Sequence, residues 1–509
     1  MIAVINFGGQ YCHLIARKIR EQGVKAEIFP NTISASELKK LFPEGIILSG
    51  GPASVNSENS LKMDLKILDL GIPVLGICYG MQLIAKALNG EVGKGKSKEY
   101  GKNIISVKGN DPLLKGLKKE QVWLSHFDTV KKLPEGFSVS SSTKICEICS
   151  MYSLKKKMFG LQFHPEVHHT PKGKKILENF LKICKAEKDW NITSQIKSIQ
   201  KEIKQTAEKE KIIMGVSGGV DSLVASFLIH KTIPDQLFCV FVDNGLMRKN
   251  ETEYIQSLYK KMGFKHFFVV NAVEKFVSAL AEISDPEEKR KIIGHTFIEV
   301  FEKKALDLEK EFGKISFLGQ GTIYPDRIES AEPSAQASKI KSHHNLTLPE
   351  KMNLNLIEPL RDFYKDEVRK IGLSLKISKE FLFRHPFPGP GLAVRILGEV
   401  SPKKLSILRE VDFIFIEELK KNKFYDKTWQ AFAVIFPVKA VGVKGDERSY
   451  SFIVALRAVN SVDGMTADWT RIPNELLEKI SSRILNEVPE VGRVLYDISQ
   501  KPPATIEFE

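Results

Sequence analysis

Cys78 stands between two glycines in Gly76-Ile77-Cys78-Tyr79-Gly80, after an apolar run and before a helical pattern. Small neighbours permit the strained turn that lifts a nucleophile above a sheet, and a helix N-terminus behind it favours a thiolate. A thiolate that attacks a carbonyl needs a base and a group to orient that base. The run Phe159-Gly160-Leu161-Gln162-Phe163-His164-Pro165-Glu166 supplies His164 and Glu166 two apart. In an extended segment both leave the same face, and Pro165 biases His164 away from the helical region. Ser49-Gly50-Gly51-Pro52 offers backbone N–H groups for an oxyanion, with Gly51 and Tyr79 as the paired donors. Singly these are weak signals, since a buried cysteine is usually inert packing; together they predict acyl transfer through a thioester. His126, His168 and His169 have no comparable partner pattern and are read as structural.

A second chemistry is written in Ser217-Gly218-Gly219-Val220-Asp221-Ser222, between an apolar run ending at Val216 and a helical run starting at Leu223. Glycines at a strand-to-helix turn let backbone N–H groups close around phosphate oxygens, and the helix dipole adds to the attraction. The lysine of the Gly-x-x-x-x-Gly-Lys-Ser/Thr loop is absent, so nothing here grips a γ-phosphate for transfer. A pyrophosphate is the expected guest. The competing reading is a plain Gly-Gly turn joining two elements.

These residues must be held by elements whose periods are visible. Strands over Ile2–Asn6, 46–49 and 73–77 alternate with helices over 11–22, 61–70 and 81–88, which predicts a parallel sheet with crossover helices. Residues 184–211 are rich in Lys and Glu and read as a bridging helix. A second alternation follows, with strands over 212–216, 237–242, 267–270 and 315–318 and the phosphate loop after its first strand. After Arg384 the rhythm is lost: a Pro-Gly loop over 385–391, a helix over 403–421 and strands over 431–443 and 450–459 read as a smaller α+β part. The expected fold is therefore α/β, with two doubly wound, mostly parallel sheets plus a C-terminal α+β domain, divided as 1–187, 188–384 and 385–509.

At 509 residues the chain is too long for one core. Its net charge of +14 invites a nucleic-acid reading, but the excess is spread over amphipathic segments with no basic-aromatic module, so solvated helix faces and anionic small-molecule substrates are preferred. No apolar run reaches a membrane span and no leader opens the sequence, so a cytoplasmic protein is expected, without membrane or nucleic-acid partners. The cysteines are scattered, which argues against a disulfide framework. Cys146-Glu147-Ile148-Cys149 lacks the second pair of a zinc ribbon, and its strand-like flanks favour a structural role.

With these motifs on the page, the first third resembles a class I glutamine amidotransferase domain, and the whole chain resembles the glutamine-hydrolysing GMP synthetase family. Ser-Gly-Gly-x-Asp-Ser resembles the loop of enzymes that split ATP between its α- and β-phosphates. Further strings carry the likeness: Val242-Asp243-Asn244-Gly245-Leu246, Gly319-Gln320-Gly321-Thr322-Ile323-Tyr324-Pro325-Asp326, Lys341-Ser342-His343-His344-Asn345, the loop 387–392 and the tail Lys501-Pro502-Pro503-Ala504-Thr505-Ile506-Glu507. The resemblance implies Cys78 as nucleophile, His164 as base and Glu166 as its orienter, acting on glutamine. It implies ATP on Ser217, Gly218, Gly219, Val220, Asp221, Ser222 and Asp243, with Asp221 toward Mg2+. Asp326 and Glu329 would support nucleotide activation under a basic cover of Lys341, His343 and His344; the competing reading of that acidic pair is a helix cap. Xanthosine 5′-monophosphate (XMP) would lie against Gly389, Gly391, Lys501, Ile506 and Glu507. A homodimer through the C-terminal domain is implied. The chain departs from the family pattern at Asn6, Gly9 and Phe127, and in Asn345-Leu346-Thr347-Leu348-Pro349, where two glycines and one residue are missing. The rivals are another glutamine-dependent ligase of this chemistry, making NAD or thiolating RNA, and a nucleic-acid-binding protein with dead catalytic domains.

Overall fold

A computed structural model describes residues 1–9, 11–58, 60–331, 354–444, 447–461 and 466–509, with backbone alone at 96–100, 328–331 and 444. Two compact units divide the chain, Met1–Gln195 and Ile196–Glu509.

The first unit is organised by β1 (Ile2–Asn6), β2 (Ala26–Pro30), β3 (Gly45–Leu48), β4 (Val74–Ile77), β5 (Glu91–Val107), β6 (Lys119–Lys132), β7 (Ser138–Ser142), β8 (Ser150–Ser153) and β9 (Met158–Leu161). They form one sheet in the order β2-β1-β3-β4-β9-β8-β7-β5-β6. The pairs from β2 through β9 are parallel, and those beyond are antiparallel. β3 and β4 are buried throughout, which is why they read as short unbroken apolar runs rather than alternating ones. Register places Leu48 beside Gly76 and Ile77 beside Leu161. Loops after β3, β4 and β9 therefore emerge together at the carboxyl ends of parallel strands, where α/β sheets bind their ligands.

In the second unit, β10 (Lys211–Gly215), β11 (Leu237–Asp243), β12 (His266–Asn271), β13 (Ile315–Gly319) and β14 (Asn355–Ile357) form a parallel sheet in the order β12-β11-β10-β13-β14. β10 lies between β11 and β13, so its outgoing loop sits at the point where the winding reverses. A second sheet combines β15 (Gln430–Lys444), β16 (Glu447–Asn460), β17 (Asp468–Trp469) and β18 (Val491–Tyr496); β16 pairs antiparallel with β15 and β17 and parallel with β18. One hydrophobic core runs through both sheets, from Ile213 and Val240 to Leu408, Ile435 and Ile484. The expected α/β class with a C-terminal α+β part is what the molecule has.

Two local readings change. Residues 61–70 form only a 3-10 turn over Leu65–Asp69. The Asp64 carboxylate accepts from Lys66 N at 3.1 Å and Ala35 N at 2.9 Å, so it caps a late start and fixes the preceding chain elsewhere. As expected, strands flank Cys146 and Cys149, which lie in the turn between β7 and β8; both are buried and neither forms a disulfide among the described residues. Finally, the hairpin β5–β6 exceeds anything the periodicity indicated, because Gly93, Gly95 and Gly101 and the surrounding lysines depress β propensity along β5.

Candidate active site

Cys78 leaves β4 with φ 50° and ψ −103° and directly precedes the helix Tyr79–Ala87. This positive φ on a residue with a side chain is backbone strain held by its surroundings. Cys78 N donates to Leu161 O at 2.6 Å, locking the turn to β9. A Cβ on Gly80 would lie 2.3 Å from Leu48 O, so only glycine lets the helix approach β3 this closely.

His164 Nδ1 lies 2.7 Å from Glu166 Oε1, and both residues are buried. Their meeting does not come from strand alternation: β9 ends at Leu161, and the segment beyond is irregular. His164 N donates to Trp123 O at 3.0 Å and Thr170 Oγ1 donates to His164 O at 2.6 Å. These bonds replace the ladder that the alternating pattern suggested. The Tyr11 ring meets the imidazole edge-on at 5.1 Å between centroids. Burial alone disfavours an imidazolium here, but the Glu166 carboxylate and the Cys78 side chain outweigh it and hold His164 well above its ordinary range. A stronger base is the outcome, with its tautomer set by Glu166. Glu166 Oε2 is buried without a hydrogen-bond partner among the described residues, an arrangement costly enough to need a return in function.

Gly50 marks the junction of the parts. A Cβ there would lie 3.1 Å from His164 Cε1 and 3.8 Å from Cys78 Cβ, so imidazole, thiol and the Gly50-Gly51 backbone converge. A Cβ on Gly51 would meet the Tyr79 ring at 3.2 Å, which brings the two proposed oxyanion donors into one corner. Gln162 was missed from the sequence. Its Nε2 lies 3.6 Å from Cys78 Sγ, and Gln82 Nε2 donates to Gln162 Oε1 at 3.2 Å and Asp128 O at 2.8 Å. Its sequence signal is its place two residues before His164 in the run 159–166. His126 is buried nearby, and burial pulls its pKa down to about 4 against a hydrogen bond to Asp128 O, with the His164 charge pulling the same way.

The second site opens at the end of β10. Gly218 takes φ +74°, and the helix Val220–Thr232 starts immediately after Gly219. The loop is bonded to itself: Ser217 Oγ and Ser222 Oγ are 3.2 Å apart, Ser222 Oγ donates to Gly219 O at 3.1 Å, and Gly219 N reaches Ser217 Oγ at 3.4 Å. Gly321 abuts it so closely that a Cβ would lie 2.8 Å from Ser222 N. Asp243 ends the neighbouring β11, its Oδ1 accepting from Gly245 N at 3.0 Å. Asp221 Oδ2 is 2.5 Å from Lys365 Nζ, while Oδ1 is buried without a hydrogen-bond partner among the described residues. Lys365 was not foreseen, because it lies 144 positions away with no local pattern. Asp326 lies in the helix Tyr324–Ala331 and accepts from Ile323 N at 3.1 Å. Glu329 lies in the same helix, and Lys341, His343 and His344 lie outside the described residues. Among the described residues no group of three or more His, Cys, Asp or Glu could hold a metal. Asp221, with its orphaned buried oxygen, suits a Mg2+ held mainly by phosphate oxygens.

The remaining residues converge on the C-terminal tail. Gly391 N donates to Pro388 O at 2.9 Å, and Leu392 N donates to Leu246 O at 2.8 Å, which ties the Pro-Gly loop, including Gly389, to the segment after Asp243. Lys501 pairs with Ala467 through both backbone bonds, and Ile506 packs with Phe432, Val434 and Val459. Glu507 Oε1 accepts from Arg395 Nη2 at 2.9 Å and Gln430 Nε2 at 2.6 Å, neither partner having been foreseen.

A buried Cys-His-Glu set above a parallel sheet, followed by a nucleotide-type α/β unit, defines a class I glutamine amidotransferase fused to a phosphate-binding partner. Residues 3–184 match the glutamine amidotransferase class-I model, 191–293 that of NAD synthase, and 417–508 that of the GMP synthase C terminal domain. The chain is 52% identical over 512 residues to GMP synthase (glutamine-hydrolyzing) of Thermosipho melanesiensis, covering 100% of this chain and 99% of that one. The enzymes of the same name from Carboxydothermus hydrogenoformans and Aquifex aeolicus are each 52% identical over 511 residues, with the same coverage. The chain belongs to the glutamine-hydrolysing GMP synthase family. No described helix is long and apolar enough to cross a membrane.

Proposed function

We propose that this protein makes GMP from XMP, taking nitrogen from glutamine and cleaving ATP to AMP and pyrophosphate. Cys78 Sγ attacks the side-chain amide carbon of glutamine while His164, oriented by Glu166, takes the sulfur proton and passes it to the departing ammonia. The N–H groups of Gly51 and Tyr79 hold the oxyanion, and water then cleaves the glutamyl thioester to glutamate. At the other site the C2 oxygen of XMP attacks the α-phosphorus of ATP, pyrophosphate leaves into Ser217–Ser222, and ammonia displaces AMP from C2. Ammonia must arrive unprotonated, since ammonium has no lone pair for the attack.

The loop N–H groups and the helix N-terminus receive the pyrophosphate charge. Lys365 is placed to move from Asp221 to a phosphate oxygen once ATP is bound, which frees the Asp221 carboxylate. Mg2+, when bound with ATP, supplies neutralisation of charge on the phosphoryl oxygens. Asp243, Asp326 and Glu329 would hold the nucleotide, with Lys341, His343 and His344 covering it. Gly389, Gly391, Lys501, Ile506 and Glu507 would seat XMP, and the C-terminal part would form a homodimer.

The observation that carries this reading is the presence in one chain of an assembled Cys78-His164-Glu166 set and a phosphate loop without the γ-phosphate lysine. Pyrophosphate and AMP release, assayed with ATP and ammonium salt, is expected with XMP and not with nicotinate dinucleotide or transfer RNA. Formation of ADP and orthophosphate in its place would defeat the proposal.

A further inference from the structure

Among the described residues of the second unit, three cations have essentially no exposure: Lys289 at 0%, Arg395 at 0% and Arg457 at 1%. Burying an unmatched cation is expensive, so what each one meets is informative. All three meet the last residues of the chain. Arg395 holds Glu507 through both carboxylate oxygens. Arg457 donates to Ile506 O at 2.7 Å and Thr505 O at 2.8 Å. Lys289 Nζ reaches Glu509 Oε2 at 2.5 Å, together with Ile396 O at 2.7 Å and Ala393 O at 3.3 Å.

The Lys289 contacts join segments that are otherwise remote. Ala393 and Ile396 continue directly from the Gly389–Gly391 loop, and Glu509 ends the tail that carries Ile506 and Glu507. Glu509 Oε1 also accepts from Gly398 N at 3.3 Å, so its carboxylate bridges the same two segments. Lys289 itself lies in the first turn of the helix Pro286–Phe312, which the Asp285 carboxylate caps through Glu288 N at 2.8 Å. That helix is pinned to the core by Ile293, Val300 and Phe301. An ammonium has three donors, and all are used.

We infer that Lys289 is a positioning residue for the acceptor-nucleotide pocket: from a rigid helix it ties the Pro-Gly loop to the terminal residue, setting the spacing between the pocket's two walls. With no donor left over, it acts on loop and tail rather than on the nucleotide. The inference rests on the proposed seating of XMP between those segments.

The test uses the full-length enzyme with ammonium salt as nitrogen source, so that the thiol site plays no part. In Lys289→Met and Glu509→Gln the KM for XMP is expected to rise about tenfold, with kcat and the KM for ATP within about twofold of the parent. The two changes combined should do no more than Lys289→Met alone, as expected for groups acting through one contact. A folded Glu509→Gln enzyme with the parental KM for XMP overturns the inference, and so does a parallel rise in the KM values for XMP and ATP. Should Lys289→Met fail to fold, Glu509→Gln decides alone. Absence of XMP-dependent pyrophosphate release from the parent would instead sink the acceptor assignment, before any variant is compared.

Discussion

The two sites differ in how finished they are. At the thiol site every partner is a protein group already in contact: Cys78, His164 and Glu166 are 6%, 5% and 1% exposed, and His164 and Glu166 are 2.7 Å apart. At the phosphate loop Ser217 and Gly219 are exposed, and the polar groups bond to one another in a ring of long contacts. The strain differs too. Cys78 carries a positive φ with a side chain, whereas the loop places Gly218 at its positive φ and stores nothing. Covalent catalysis needs nucleophile and base in place before the substrate arrives; phosphate binding can leave donors satisfied internally until the anion replaces those bonds. The first site is therefore a finished machine, and the second is completed by its ligand.

This contrast is broken or sharpened most strongly at the sulfur. Cys78→Ala should remove glutamine-dependent GMP formation by at least about a thousandfold while the rate with ammonium salt stays at the parental level. Retained glutamine-dependent turnover would show that the thiol is not the nucleophile. Next in size is Asp221→Asn, expected to cut pyrophosphate release by roughly a hundredfold with either nitrogen source. A loss confined to glutamine would place Asp221 outside the nucleotide step. Gly50→Ala tests preassembly itself: the added methyl would sit 3.1 Å from His164 Cε1, and displacement of the imidazole should lower glutamine turnover by roughly tenfold to a hundredfold. Parental turnover in that variant would mean the imidazole has more room than the finished-machine reading allows.

The same contrast explains what could be read from the residues alone. Cys78 with its glycines and the Ser217–Ser222 loop are local signatures, because a sharp strand-to-helix turn is encoded within about six residues. The parallel strands were legible for the same local reason, as buried runs of β-branched and aliphatic residues. Lys365, Arg395 and Lys289 were not legible, since each acquires its role from a partner more than a hundred positions away. Gln162 falls between these cases: it lies in the same run as His164, but its role comes from Gln82, 80 positions away, which fixes its amide against Cys78. The β5–β6 hairpin escaped because its stability comes from cross-strand pairing along its length and not from residues with strong strand preference.

The smallest effect concerns two histidines that the thiol site drives in opposite directions. His164 is raised, so it favours the fold at low pH and loses that contribution as pH rises through its folded-state value. His126 is lowered to about 4, chiefly by burial. Its unfolded form binds a proton near the ordinary value of about 6.5, so its contribution is present above that pH and is lost as pH falls toward 4. The full window is worth at most about 3 kcal/mol. Chemical denaturation of the parent and of His126→Asn at pH 7 and pH 4.5 isolates this contribution. The variant should lose less stability between the two pH values than the parent, by about 2 kcal/mol. Equal losses in both proteins would mean that His126 is not held neutral by the closed site, and the description of that site as sealed around its partners would have to give way to one in which water reaches the imidazole.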